Sequence, residues 1–271
     1  MQDNEERDLR KLLSLLDKVD AWREMTDRPG AAWQVQPGSP LAGDDAKADP
    51  YQVSHSAWHA LTVAVDHMQC LRSSLVSELT DRSASIRIHT HAQSSLIRGA
   101  FENGARAVWM LGPPMRLARV TRRLSLEAKE VRHSARMREL VGQPGPRTVE
   151  QRERQLRDLI INAGVQPDDA RRALRSPQYS ESVKAAGELT TLGADLAEVV
   201  WSGCSSLAHG DISGTLGLLD KEIVERVGDV NHVRITGSVS GLYLCTLASF
   251  AVINSGFDLF KARSSAPHGL R

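Results

Sequence analysis

Ser95-Leu96-Ile97-Arg98-Gly99-Ala100-Phe101-Glu102-Asn103-Gly104-Ala105-Arg106-Ala107-Val108-Trp109-Met110-Leu111 is the stretch whose reading decides the fold class. Ile97, Phe101, Gly104, Val108 and Leu111 recur at steps of three and four, which gathers them into one stripe of a helix. Gly112-Pro113-Pro114 ends the run, because proline cannot continue the hydrogen-bond ladder. Read backwards, the predicted helix begins at Ala84. Arg98 and Glu102 lie four residues apart beside the apolar stripe, near the face that also carries His91 and Trp109. Such a pair at a helix seam either orients an anionic ligand through the guanidinium fork or fixes helix register as an ion pair.

Outward from this helix the same periodicity returns. Leu9, Leu12, Leu13, Leu16 and Val19 mark a helix over 3–27, stopped by Arg28-Pro29-Gly30. Residues 30–50, rich in Gly, Pro, Asp and Ala, read as a long loop, with Trp33 docking it onto the body. Asp49-Pro50 opens a helix over 51–79. Further helices are predicted over 115–141, from the Thr148/Gln151 capping box to 162, over 167–175, 180–188 and 192–208, and finally over 240–262. The runs 215–219 and 230–238, with 223–227 between them, carry the β-branched residues of a small hairpin. The expected architecture is all-α: a single domain spanning 1–271, built as a bundle of about six long helices with a hairpin or irregular insertion at 212–239 and a tail at 264–271.

Composition narrows the class. The 271 residues include 34 basic and 33 acidic side chains, so a net charge of +1 gives no overall drive toward nucleic acid or membrane. A hydrophobic fraction of 41% suits a globular core, and with 4% aromatics that core must be aliphatic. Cys70, Cys204 and Cys245 are scattered and form no CxxC, which argues for a reducing compartment without a disulfide framework or structural zinc. The acidic start, Met1 to Glu6, lacks the pattern of a signal peptide, and a cytoplasmic location is expected. Residues 235–257 carry no charge but are diluted by Thr, Ser, Asn and Gly, so a buried bundle helix is expected there rather than membrane attachment.

Four polar patterns are candidates for chemistry. Besides Arg98 and Glu102, His209 ends the run Trp201-Ser202-Gly203-Cys204-Ser205-Ser206-Leu207-Ala208-His209-Gly210-Asp211 at a helix C-terminus, whose dipole favours a protonated imidazole. There it serves as a general acid or base oriented by Asp211, or caps the helix carbonyls. A serine hydrolase is excluded by the lack of a G-x-S-x-G elbow. His55 and His59 share a helix face, His89 and His91 are two apart, and Glu130 with His133 forms half of a di-iron motif. Packed or solvated histidines explain these better than a metal, and no cofactor is implied. From Arg116 to Arg175 there are 14 Arg and one Lys against eight acids. Arg116, Arg119, Arg122 and Arg123 form a stripe that is either a phosphate-tracking, nucleic-acid-binding surface or a solvated face. No aromatic interleaves it to stack bases, and no glycine-rich phosphate loop is present.

Three of these segments together carry a resemblance: R-x3-E leading into A-x-x-W-h-L (h, apolar) at 98–111, the arginine-rich helix after Pro113-Pro114, and S-x3-H-G at 205–210. The chain resembles a poorly characterised group of bacterial all-helical proteins and, more remotely, the HEPN-type bundles. That resemblance implies a nucleotide-binding or RNA-cleaving helical domain of defence or toxin systems. RNA-cleaving members carry Arg, then a polar residue, with four to six positions separating that Arg from a His. Upstream of His209 that place holds Ser202, Gly203 and Cys204, and the spacing recurs only at Arg82–His89, Arg226–His232 and Arg263–His268. Three functions follow as expectations. The first is a binding or regulatory protein holding a nucleotide or RNA phosphate in a cleft of Arg98, Glu102 and His209. The second is a metal-independent ribonuclease using His209 as acid or base. The third is a structural homodimeric interaction protein.

Overall fold

The computed structural model describes residues 2–28, 33–79 and 84–267. It is 72% helical, so the all-α expectation holds at that level. In chain order the helices are α1 (Gln2–Asp17), α2 (Val19–Asp27), α3 (Pro40–Ala48), α4 (Val53–Leu75), α5 (Ala92–Leu111), α6 (Arg116–Leu140), α7 (Val149–Ala163), α8 (Pro167–Ala173), α9 (Tyr179–Glu188), α10 (Ala194–His209), α11 (Ile212–Leu218) and α12 (Val239–Ser264). Two antiparallel ribbons complete the list, β1 (Val76–Leu79) with β2 (Ala84–Ile86), and β3 (Asp220–Val227) with β4 (Val230–Thr236).

The quoted stretch is the hub. α5 packs against α4, α12, α10 and α9, burying Ile97, Ala100, Phe101, Ala105 and Val108. Gly104 lets α12 come close: a Cβ there would stand 3.0 Å from Ile253 Cγ1 and 3.4 Å from the Ile253 backbone. The scarce aromatics concentrate at the seam of α2, α4 and α12. Trp22 stacks on Phe250 at 4.0 Å between centroids, and Trp58 meets Phe260 at 5.1 Å. α12 is long and apolar enough to cross a bilayer by length and composition, yet it lies against α5 and α1, with 44% of its most apolar window buried.

Local signals place several boundaries. Thr148 and Gln151 form the reciprocal capping box at the start of α7, at 3.2 and 2.9 Å. α10 ends in a Schellman motif: Gly210 adopts φ 72°, its N–H bonds to Leu207 O, and the Asp211 N–H bonds to Ser206 O at 2.9 Å.

Other expectations are corrected. The predicted loop at 30–50 contains α3, started by Ser39, whose Oγ accepts from the Ala42 N–H at 3.2 Å. Trp33 is 41% exposed rather than docked. Asp49 does not open α4. Instead Asp45 of α3 accepts from the Ser54 N–H at 2.9 Å and from the Ser54 hydroxyl at 2.6 Å, taking up an amide of the first turn from another helix. Burial raises the Asp45 carboxyl above its ordinary range, against the pull of those two bonds. The helix predicted over 51–79 stops at Leu75, and the one predicted from Ala84 begins at Ala92, because the β-branched and serine residues between them pair as β1 and β2. The hairpin forms, but from 220–236; the run 215–219 lies mostly in α11. Among the described residues seven helices reach fifteen residues, where about six were expected.

Candidate functional site

Arg98 and Glu102 sit one turn apart on α5, and Arg98 Nε donates to Glu102 Oε1 at 2.8 Å. From α10, the Trp201 indole N–H donates to the same Oε1 at 2.7 Å. His209, two turns beyond Trp201, meets Arg98 Nη1 through Nε2 at 3.0 Å. Trp201 therefore faces Glu102 while His209 faces Arg98, so the two helices run antiparallel along this seam.

The chemistry of the contact fixes its direction. Guanidinium has no acceptor, so in this contact Nη1 donates and the imidazole Nε2 accepts. No hydrogen bond joins His209 to Asp211, whose backbone instead completes the Schellman turn and whose carbonyl accepts from Thr215 N–H at 2.9 Å. The Arg98 side chain is 24% exposed and that of Glu102 13%. His209 lies at the surface.

Beneath the cluster, Cys204 of α10 and Cys245 of α12 share a hydrogen bond. Donation by Cys204, together with burial, pushes its thiol well above the ordinary range, a rise that the Arg98 charge opposes. Accepting that bond lowers the Cys245 thiol.

The other residues of the predicted α5 face do not join. His91 stands at the N-cap of α5, with Nδ1 2.8 Å from Thr90 Oγ1 and Nε2 3.2 Å from Thr215 Oγ1. Trp109 is buried under the Arg122 guanidinium, 4.9 Å from ring centroid to Cζ. Arg82 and His268 lie outside the described residues.

The expected basic stripe is corrected. Arg119 is 2% exposed and grips Asp44 of α3 with two bonds, Nε to Oδ2 at 2.5 Å and Nη2 to Oδ1 at 2.9 Å. Its Nη1 caps the carbonyls of Pro113 and Pro114, each at 2.8 Å. Arg116 reaches the same Asp44 at 3.3 Å. Arg122 donates to the Trp109 carbonyl, and burial lowers its pKa. Arg123 bonds Glu127 at 3.0 Å and lies over Tyr51. The four guanidiniums hold α6 to its neighbours, and only Arg116 keeps half its side chain in solvent, at 51%.

A cavity adjoins this contact through Glu102. It has a volume of about 400 Å³ and opens between α4, α5, α6 and α9, lined by Glu102 but by neither Arg98 nor His209. The single cleft expected from sequence is therefore a surface contact on one side of Glu102 and a cavity on the other. His55 and His59 of α4 line that cavity, and with them Arg106, one turn beyond Glu102. Among the described residues, no group of three or more His, Cys, Asp or Glu side chains is arranged to hold a metal ion.

Sequence reasoning missed Trp201 and Arg106. Arg106 carried a visible signal, the four-residue spacing Arg98–Glu102–Arg106. Trp201 carried none, because its partner lies 99 positions away. No known family model matches the chain, and no curated protein or solved structure is significantly similar to it.

Proposed function

We propose that this protein binds a phosphate-bearing ligand, a nucleotide or an RNA phosphodiester, where Arg98, Glu102 and His209 meet. One observation carries the reading: Arg98 is oriented by Glu102 and His209, yet its Nη2 has no hydrogen-bond partner and the side chain stays 24% exposed. A guanidinium held in this way offers its free edge to a phosphate oxygen without first having to be ordered. Glu102, itself held by Trp201, is the positioning residue. An incoming phosphate that takes Nη1 also frees the His209 ring from that contact, leaving it beside the ligand. The reading treats the chain as one cytoplasmic bundle, HEPN-like in outline. Leu196 and Val199 of α10 and Leu244 of α12, each half exposed or more, support self-association.

A second reading is structural, and a specific feature favours it. Arg98, Glu102, Trp201 and His209 already bond one another, so the group can serve as a clasp between α5 and α10. Fluorescence anisotropy with a labelled single-stranded RNA, run beside a gel assay for cleavage, separates the readings. Arg98→Met is expected to weaken binding about 10- to 100-fold, the worth of a charged hydrogen bond. His209→Ala is expected to weaken it less. Wild-type binding by Arg98→Met removes the proposal. Cleavage that disappears in His209→Ala makes the protein a metal-independent ribonuclease, with Arg98 stabilising charge in the transition state. No RNA binding, with lowered stability in both variants, leaves the clasp.

A further inference from the structure

Arg106 lines the 400 Å³ cavity, is half buried, and makes no hydrogen bond or ion pair with the protein. Two of the three acids that line the cavity are already committed. Glu102 is turned to Arg98 and Trp201, and Glu127 bonds Arg123 at 3.0 Å and Arg152 at 3.4 Å. Lys129 is drawn over the Tyr179 ring, 4.5 Å from its centroid. Its N–H groups have no protein partner and stay open to the cavity, so an anionic ligand there meets an uncommitted fork of charged donors. His55 and His59, one turn apart on α4, stand at the rim and add ring N–H donors. Glu130 of α6 also lines the cavity, has no partner, and is a pure acceptor. The cavity therefore offers an uncommitted guanidinium, two imidazoles and an uncommitted carboxylate, and its volume lies in the range of small-molecule sites.

We infer that this cavity binds a small phosphomonoester carrying hydroxyl groups, its phosphate on Arg106 and the two histidines, a hydroxyl on Glu130. The site goes beyond the RNA reading and stands apart from it, because Arg98 and His209 are not among its lining. Calorimetric titration with ribose 5-phosphate, ribose and inorganic phosphate tests it on the full chain. Ribose 5-phosphate is expected to bind the wild type and Arg98→Met alike, and to bind Arg106→Met at least tenfold more weakly. Ribose without phosphate is expected not to bind. Glu130→Gln is expected to weaken ribose 5-phosphate several-fold while leaving inorganic phosphate unchanged. Arg106→Lys keeps the charge but loses the planar fork; it serves if Arg106→Met does not fold, and is expected to bind more weakly than wild type. The inference is overturned if the wild type does not bind ribose 5-phosphate, if both Arg106 variants bind it as wild type does, or if Arg98→Met alone abolishes binding. Equal weakening of both phosphate ligands by Glu130→Gln overturns the hydroxyl assignment.

Discussion

Arg119 shows how much one side chain decides. Its guanidinium satisfies both oxygens of Asp44 and two carbonyls at the C-terminal end of α5, all with the side chain 3% exposed. Removing one partner of such a pair leaves a buried charge uncompensated, at about 3–5 kcal/mol. Asp44→Ala is expected to lose that much in urea unfolding, and Arg119→Met somewhat less, because Arg116 still reaches Asp44 at 3.3 Å. The double variant is expected to cost less than the sum, since neither charge then remains buried alone. A cost below about 1 kcal/mol for Arg119→Met would contradict this account. In the sequence Arg119 is one arginine of an apparent surface stripe. Its burial depends on a carboxylate 75 positions away, on a helix whose Gly/Pro/Asp-rich composition reads as loop. Arg98 and Glu102 are different, because their pairing follows from the four-residue repeat and was legible.

At the scale of elements, helices with local start and stop signals appear close to where the sequence puts them. α7 has its capping box, and α10 has its glycine at the left-handed position. Elements whose ends depend on a neighbour are displaced. α4 takes its first-turn acceptor from α3, and α5 starts only after β2. The β3–β4 hairpin is the element least tied to the rest: all of β3 is exposed, and in β4 only Ile235 is partly covered. A two-stranded ribbon adds little stability by itself. Replacing 221–235 with a short Gly-Ser linker is expected to change the unfolding free energy by less than about 1 kcal/mol. A large drop in thermal midpoint would show that the ribbon supports the helices.

For the whole molecule, the arginines at the start of α6 are turned inward, whereas Arg132, Arg136, Arg172 and Arg175 stay more than half exposed. Arg119, Arg122 and Arg123 tie α6 to α3, to the end of α5 and to the start of α4, so the stripe at 116–123 is not available as one field. RNA held through Arg98 and one neighbouring cation should therefore show a shallow salt dependence. For single strands, log K is expected to fall with log salt at a slope of about −0.7 to −1.4, corresponding to one or two phosphates. A slope near −2.8, four phosphates, would mean that the arginines of α6 do bind RNA after all.

The sequence by itself determined the helical class, the stripes and the caps, because these depend on contacts three to five residues apart that composition and spacing encode directly. It also nominated Arg98, Glu102 and His209. The packing of distant segments settled the rest: Arg98 and His209, 111 positions apart, touch, Trp201 holds Glu102 beside Arg98, and Arg106 lines a cavity. Those outcomes are set by how α4, α5, α6, α9 and α10 pack. Packing angle and register arise from the summed fit of many side chains, which no local spacing specifies.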